Sequence, residues 1–527
     1  MRLGYFLFLY LILGCSVPVL VTATEVATVQ TITVKKIRLI GENIPPTEEV
    51  TSILTAYEQR SLTLQNLQDL ADQLTNFYVQ KGYVTSRVIL ADQRIAAGEV
   101  AMLFQGGKLE TVEIEGTKRL NPSYIRDRIR PGQDRIIGPE VQKQLRLLKT
   151  DPMFRTLEAA IRPGSTAGES KLIITVEEAE SLQASVGTDN FSPPSVGGER
   201  TTSTVTYRNL IGLGDVVNFS YSRSFSGGLN AWDLTYQVPL NSKHGTLAFR
   251  VAPTRSRVTQ SDFADFGIRG RSTVYEMNYR QPLIRNINSE VALTLGVTVQ
   301  NGQTFLFDDN PFPFGIGADE RGNSRLRVLK FGQEYLRRGE YDAWALRSQF
   351  NLGLNILNAT SNPGPIPDGQ FVSWLGQIQR IQQVGNDHLL VLQGDLHLTP
   401  DSLLPAQQFI LGGGQSLRGY RQSVRSADNG FRFSIEDQIT LQRNTTGRSI
   451  LLLAPFFELG SVWNKANNPN RLRGETFLMS TGLGLVWQPS RRFQMRLDYG
   501  LPLVKLSDRS SNLQDQAFYF SVRYGVR

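Results

Sequence analysis

Leu411–Arg421, LGGGQSLRGYR, holds the residue types in this chain best suited to a mechanical task. Gly412, Gly413 and Gly414 let the backbone turn sharply and lie close against a wall. Four residues on, Arg418 follows Leu417 and stands directly before Gly419 and Tyr420. A flexible stem that presents an arginine and a ring suits a loop that folds back into a larger structure and is pinned there. The plain alternative is a glycine-rich hairpin whose arginine is solvated.

No residues with catalytic spacing accompany this stretch. His244, His388 and His397, the only histidines, are far apart, and none stands at the His-x-x-x-His spacing of a metal site. The glycine run lacks the Gly-Lys-Ser/Thr ending that phosphate binding needs. The only cysteine is Cys15. The reading is a protein that is not an enzyme and needs neither cofactor nor metal.

The first 23 residues read as a secretory leader: Arg2 supplies charge, Leu3–Leu13 is apolar, and Val21-Thr22-Ala23 ends in a small residue. Cys15 after Leu13-Gly14 mimics a lipoprotein cleavage site, but a bulky leucine two positions before the cysteine fits that poorly. Beyond the leader no apolar run is long enough for a transmembrane helix, and the mean hydropathy is −0.22. An exported chain of this polarity is a periplasmic protein or a barrel whose wall hides apolar residues at every second position. A net charge of +8 over 527 residues often suggests nucleic acid. No dense basic cluster supports that, and the leader argues against a nucleic-acid partner.

Two modules precede the region that holds the loop. In residues 34–107 a strand, Val34–Ile40, leads past Pro45-Pro46 to Thr47, a helix-capping residue type. A longer helix carries Leu64, Leu67, Leu70, Ala71, Leu74, Phe77 and Tyr78 at helical spacing and closes at Lys81-Gly82. Strands Val84–Leu90 and Val100–Phe104 follow. Residues 108–180 repeat this β-α-α-β-β order. Asn121-Pro122 opens a first helix, a second spans Pro139–Lys149, and Leu157–Ile161 and Leu172–Glu177 are strands. The pair resembles two POTRA domains, the periplasmic modules found before outer-membrane barrels. The matching phrases are Tyr78–Gly82 with Thr85-Ser86-Arg87, and Arg162-Pro163-Gly164 with Gly168. The resemblance implies an open sheet edge to which an extended client adds as a further strand.

From Leu182 to Arg527 the period is two. Val217, Phe219 and Tyr221 alternate with polar residues; so do Val291 to Val299 and Phe493 to Tyr499. One apolar face and one polar or small face fit a lipid-facing wall around a wet lumen. A closed barrel is also the β form that satisfies every backbone group in lipid. A soluble sandwich alternates too, with its apolar side inward. About sixteen such segments start near residues 182, 200, 215, 229, 245, 270, 289, 324, 341, 369, 387, 430, 449, 477, 492 and 516, an even number as in bacterial single-chain barrels. The fold class read from the sequence is β-rich: a 16-stranded antiparallel transmembrane β-barrel over 182–527, preceded by two α+β POTRA domains. Both barrel ends then lie on the periplasmic side. The last segment, with Phe518, Phe520 and Tyr524, reads as the strand that barrel-assembly machinery recognises.

In this count the glycine-rich stretch falls in the sixth outer loop, residues 404–429. Here the chain resembles the TpsB transporters of two-partner secretion, the haemolysin-activator type, whose sixth loop folds into the lumen with a VRGY-like tip. Leu417-Arg418-Gly419-Tyr420 matches it, with leucine for valine. Further phrases are Thr188-Asp189-Asn190, Arg208-Asn209-Leu210 with Gly212 and Gly214, and Phe456-Phe457-Glu458-Leu459-Gly460. The resemblance implies that Arg418 pairs with an acid in a Phe-x-Asp motif. Phe456 and Glu458 match that motif, with glutamate for aspartate, and Glu436 and Asp498 on nearby polar faces are alternatives. It also implies a pore in the outer membrane that binds an unfolded β-rich exoprotein, an adhesin or haemolysin of the TpsA kind, and secretes it. Its surroundings would be outer-membrane lipid and the barrel-assembly machinery. About ten residues separate Ala23 from Val34, too few for the N-terminal plug helix and linker that such transporters often carry. Two rivals remain at this point: a factor that inserts other barrels, which usually has more POTRA modules, and a diffusion porin, which needs none.

Overall fold

The computed structural model describes residues 30–45, 47–95, 97–129, 138–166, 169–472 and 474–526. The expected leader with Cys15, residues 24–29 of the segment before Val34, and Pro46, Gly168 and Arg527 lie outside the described residues. The chain divides into two compact units, Met1–Lys108 and Leu109–Arg527.

The first unit contains β1 (Thr31–Val34), β2 (Lys36–Ile40), α1 (Glu48–Thr55), β3 (Arg60–Thr63), α2 (Leu64–Gln80), β4 (Arg87–Leu90) and β5 (Glu99–Gln105). The α2 helix forms because its apolar residues recur every three or four positions. Leu67, Leu70, Ala71, Leu74 and Tyr78 are buried against Val88, Val100, Met102 and Phe104. Thr63 and Asn66 form a reciprocal capping box at its start, and Gly82, at φ +97°, carries the chain away from its end. The sheet order is β2–β5–β4, with β2 parallel to β5. The single first strand read over Val34–Ile40 is two strands. Lys35 turns its amide to the Gly98 carbonyl, which frees β1 to pair with β3 instead. Thr47 does stand at the start of α1, but its side chain accepts no capping hydrogen bond.

The second unit begins with the other module: β6 (Lys108–Glu115), α3 (Ser123–Arg126), α4 (Pro139–Lys149), β7 (Phe154–Pro163) and β8 (Glu169–Glu178), in sheet order β6–β8–β7. The helix expected after Asn121-Pro122 is a single turn. Glu178 Oε1 accepts the amides of Lys118, Arg119 and Leu120 at 2.7, 2.9 and 2.8 Å. Burial alone would raise this carboxyl, but the amides of Leu120, Arg119 and Lys118 and the Arg119 charge outweigh it and hold it below the ordinary carboxylate range. A carboxyl depressed in the folded state stabilises at neutral pH, and that stability disappears as pH falls below the unfolded value of about 4.3. Glu178→Gln should therefore lower hydrogen-exchange protection of the 118–120 amides in the full chain about tenfold at pH 7, from a loss of roughly 1.4 kcal/mol. The gap between variant and native protein should narrow as pH falls below about 4.3 and close once the pH is below the depressed native value; a gap that did not narrow with falling pH would exclude the charge as its source.

This module is seated on the base of the barrel. Arg119 donates to the Tyr207 hydroxyl (2.6 Å) and the Asn209 carbonyl (2.7 Å), and the Asn121 amide donates to the Gly212 carbonyl at 2.8 Å. Gly214, at φ +75°, lies so close to the Tyr124 ring that a Cβ would stand 2.3 Å from it. The Arg208–Gly214 phrase is thus the turn that receives the module.

The barrel is built from β9 (Leu182–Asp189), β10 (Arg200–Arg208), β11 (Val216–Ser224), β12 (Leu229–Pro239), β13 (Thr246–Arg257), β14 (Arg269–Arg285), β15 (Ser289–Leu306), β16 (Asn310–Pro311), β17 (Asn323–Arg338), β18 (Asp342–Gly353), β19 (Val372–Val384) and β20 (His388–Leu398). A small hairpin, β21 (Phe409–Leu411) and β22 (Arg425–Ala427), precedes β23 (Asn429–Arg443), β24 (Ser449–Trp463), β25 (Phe477–Trp487), β26 (Phe493–Pro502) and β27 (Phe518–Gly525). Sixteen antiparallel strands close the cylinder; the two-residue β16 only extends the β15 edge, and β15 pairs directly with β17. Every wall strand starts within three residues of the position read from the sequence. Outward side chains include Leu234, Leu295, Val297 and Tyr499, at 46, 53, 42 and 55 % exposure, as an apolar solvent requires. The inner face holds ion pairs such as Arg250–Asp233 (2.6 Å), Arg280–Glu334 (2.7 Å) and Lys330–Glu276 (3.2 Å). The shortest run of pairing joins the two ends of the sheet: five residue pairs link β27 to β9.

Candidate functional site

The hairpin β21–β22 lifts Gly412–Val424 off the wall between β20 and β23. Gly412 and Gly413 sit at φ +101° and +105°. A Cβ on Gly412 would meet the Arg421 carbonyl at 2.6 Å, and one on Gly414 would meet the Phe191 ring at 2.4 Å. The stem is glycine because the backbone has nowhere else to go. Leu411, Leu417, Tyr420 and Val424 pack with Val462 of β24 and Leu478 of β25, so the segment is folded inward and not left in solvent.

Arg418 is 5 % exposed. Its backbone amide donates to Glu458 Oε2 (2.6 Å), and its Nε and Nη2 donate to Glu458 Oε1 at 2.8 and 2.5 Å. Its Nη1 donates to Glu436 Oε2 (2.7 Å) and Asp498 Oδ1 (3.0 Å). The guanidinium plane also lies 3.5 Å from the centroid of Phe456. The sequence offered Glu458 as the partner and Glu436 and Asp498 as alternatives; in the structure Glu458 takes three of the five bonds and the other two acids bind at the same time. The cause is β25. Gly482 and Gly484 stand on the inner face between β24 and β26, where a Cβ would meet the Phe456 ring at 2.4 Å and Asp498 Oδ1 at 2.5 Å. With no side chains there, acids from β23, β24 and β26 converge on one point.

Arg496 completes the group, donating to Glu436 Oε2 and Asp498 Oδ2 at 2.7 Å each. Two guanidiniums face three carboxylates. Sequence reasoning missed Arg496, although it lies on the polar face of the same alternating strand as Asp498. It also missed Tyr519, whose hydroxyl donates to the Tyr420 carbonyl (2.6 Å) and accepts the Gly419 amide (3.1 Å). The Tyr420 hydroxyl in turn meets the backbone of Met479 and Val504. Phe518, Phe520 and Tyr524, read as an assembly signal, lie on the outer side of β27, with Tyr524 47 % exposed; Tyr519 is on the other side, under the loop tip.

A second set of contacts ties the loop to its neighbours further out. Arg421 and Arg425 both reach Asp508, at 2.8 and 3.1 Å. The Gln422 amide donates to Gln514 Oε1 (2.7 Å), while Gln514 Nε2 donates to the carbonyls of Asn190 (2.6 Å) and Ser192 (2.7 Å). Asn190 bridges the seam: its Nδ2 donates to the Phe518 carbonyl and its Oδ1 accepts the Phe520 amide, both at 2.9 Å. Asn190 and Gln514 are 0 and 2 % exposed.

The histidines take no part. His388 bonds Asp437 and His397 bonds the Asp428 carbonyl, and no metal-holding cluster of His, Cys, Asp or Glu occurs among the described residues. The geometry fastens a loop across a lumen; it does not arrange a reacting atom.

Residues 168–486 match the family described as haemolysin secretion/activation protein ShlB/FhaC/HecB, and residues 32–104 match the ShlB-type POTRA domain. The outer membrane transporter CdiB of Escherichia coli is 24% identical over 413 residues, covering 76% of this chain and 67% of that protein. The heme/hemopexin transporter protein HuxB of Haemophilus influenzae is 19% identical over 502 residues, covering 93% and 86%. The solved structure of Escherichia coli CdiB superposes with a TM-score of 0.72 at 21% identity, covering 97% of this chain and 94% of that one. With its POTRA fold, its sixteen-stranded wall and its in-folded sixth loop, the chain belongs to the ShlB/FhaC/HecB family, outer-membrane translocons that secrete a partner exoprotein and catalyse no reaction.

Proposed function

We propose that this transporter takes up one unfolded, β-rich partner by strand addition at a POTRA edge and passes it through the barrel as Arg418 of the sixth loop lets go of Glu458, Glu436 and Asp498. The observation that carries the reading is the loop itself: a glycine-stemmed segment fastened inside the wall by one buried guanidinium. In this reading residues 1–23 are a signal peptide, 34–107 and 108–180 the two POTRA domains, 182–527 the barrel, and 404–429 the gating loop. Leu417, Arg418, Gly419 and Tyr420 form the tip, Gly412–Gly414 its stem, and Phe456, Glu458, Glu436 and Asp498 its receptor. The β7 strand is a suitable edge, ten residues long and mostly exposed along its length; β4 and β2 flank the first sheet. Backbone pairing at such edges binds extended chains with little regard for sequence. Phe518, Phe520 and Tyr524 present an outward apolar face to the assembly machinery during insertion and to lipid afterwards.

Deleting the gene should remove one large protein from the culture medium and leave the other outer-membrane proteins at their normal levels. A broad fall in outer-membrane barrels, with secretion spared, would favour an assembly factor and reject this reading.

A further inference from the structure

Five inner-wall arginines meet a carboxylate. Arg200 pairs with Asp189, Arg250 with Asp233, Arg280 with Glu334, Arg432 with Asp395, and Arg496 with Glu436 and Asp498. Arg208 and Arg347 bond the amides of Gln183 and Gln349 instead, and three arginines at the periplasmic mouth stand together with no such partner. Arg491 and Arg492 lie where the turn from β25 enters β26, and Arg523 lies on β27. Among the described residues none of the three has a carboxylate within ion-pair distance, and all three are exposed. They line a cavity of about 350 Å³ together with Gln494, Thr204 and Thr206.

The register places this cavity on the inner face. Gln494 is opposite Arg523, two residues before Arg496 on the same side of β26. Thr206 points inward too, bonding Asn218 across to β11. Arg492 accepts the Gly525 amide on its carbonyl, which sets it diagonally from Arg523 on one face of the β26–β27 pair. Across the seam, Arg523 is in register with Gly187, where a Cβ would approach Arg523 to 3.6 Å. The walls therefore come from both sides of the seam, and the floor is hydroxyls and amides. The volume is in the range of ordinary ligand pockets, roughly 300–1,000 Å³.

We infer that Arg491, Arg492 and Arg523 form a carboxylate-binding station that receives acidic side chains of the exported polypeptide as it enters the lumen. Guanidinium groups bind carboxylates through paired, charge-assisted hydrogen bonds, and unmatched like charges in a confined cleft draw in the opposite sign. The threonines and glutamines supply neutral partners for a main chain passing beside those carboxylates. The occupant is polypeptide and not lipid headgroup because Arg492 and Arg523 share the inner face with Gln494 and Thr206, on the side of the wall opposite the outward Tyr524. The inference rests on the export reading, but its test does not use secretion.

The test uses the full chain in detergent and a fluorescein-labelled peptide of alternating glutamate and serine, followed by anisotropy. A lysine–serine peptide and glycerol 3-phosphate serve as controls. The acidic peptide should bind at least tenfold more tightly than the basic one. That binding should weaken as salt rises and should weaken at least tenfold in an Arg492→Gln/Arg523→Gln variant that stays folded by its heat-modifiable gel mobility. A photo-reactive residue at Gln494 should capture the same peptide. Equal binding of both peptides, binding untouched by the double variant, or capture that fails at position 494 would overturn the assignment. Displacement by glycerol 3-phosphate at concentrations where free glutamate has no effect would assign the station to lipid headgroups and overturn it as well. If peptide binding behaves as stated and yet no exoprotein depends on this transporter, the export reading fails and the station stands.

Discussion

Arg418→Ala should abolish secretion of the partner exoprotein while the barrel still inserts. The substitution removes four side-chain hydrogen bonds from one point; it leaves Glu436 and Asp498 with Arg496 as their cation and Glu458 with none. Three acids against one base in a nearly dry pocket repel one another. Breaking one partner of a buried ion group costs about 3–5 kcal/mol, enough to turn a loop held more than 99% of the time into one mostly displaced, by the rule of about 1.4 kcal/mol per tenfold. Arg418→Lys should rescue only a minor part, because an ammonium cannot reach two acids and stack on Phe456 together. Secretion is read by immunoblot of the medium and insertion by heat-modifiable mobility of the barrel. Wild-type secretion from the alanine variant would remove the arginine from the mechanism.

A comparable loss is expected from Gly500→Ala, which deletes no interaction at all. Gly500 faces the loop tip from β26. A Cβ there would stand 2.6 Å from the Gly419 nitrogen and 2.8 Å from the Arg418 carbonyl carbon. Both are backbone atoms, so no side-chain rotation relieves the clash and the tip has to rise. Overpacking of this kind costs about 1–3 kcal/mol, and here it acts on the segment least supported by wall strands. The pairing of Gly500 with Gly482 is through the main chain and survives. With a thiol introduced at Gln415, labelling by an impermeant maleimide from outside should rise several-fold in the Gly500→Ala background and secretion should fall. Labelling and secretion both at wild-type levels would mean that the tip does not rest against β26.

The barrel was legible because its two faces meet different solvents. Apolar and polar residues alternate from Leu182 to Arg527, so strand starts could be read to within three residues. The loop tip was legible because Gly412–Gly414 and Arg418 are unusual company in such a chain. The receptor was only half legible. Glu458, Glu436 and Asp498 each appeared as an acid on an inner face, yet nothing in a linear reading says that Gly482 and Gly484 clear the space for all three to meet. Arg496 and Tyr519 were hidden for a related reason. Each belongs to a strand already explained by its outward residues, and the distant partners, Glu436 for Arg496 and Tyr420 for Tyr519, lie 60 and 99 residues away. The split of the first strand at Lys35 depended on the Gly98 carbonyl, a contact made across the module and invisible to local pattern.

The short join between β27 and β9 has one more implication. Its outer end is finished by carboxamides instead of further strand pairing: Asn190 continues the ladder, and Gln514 holds Asn190 while its own oxygen holds Gln422 of the loop. One glutamine thus serves as bolt to the door and hinge-pin to the frame. Drawing the bolt leaves the frame with a side chain that has lost one of its three anchors, so the cylinder is weakest along its own closure line at the moment its bore is emptied.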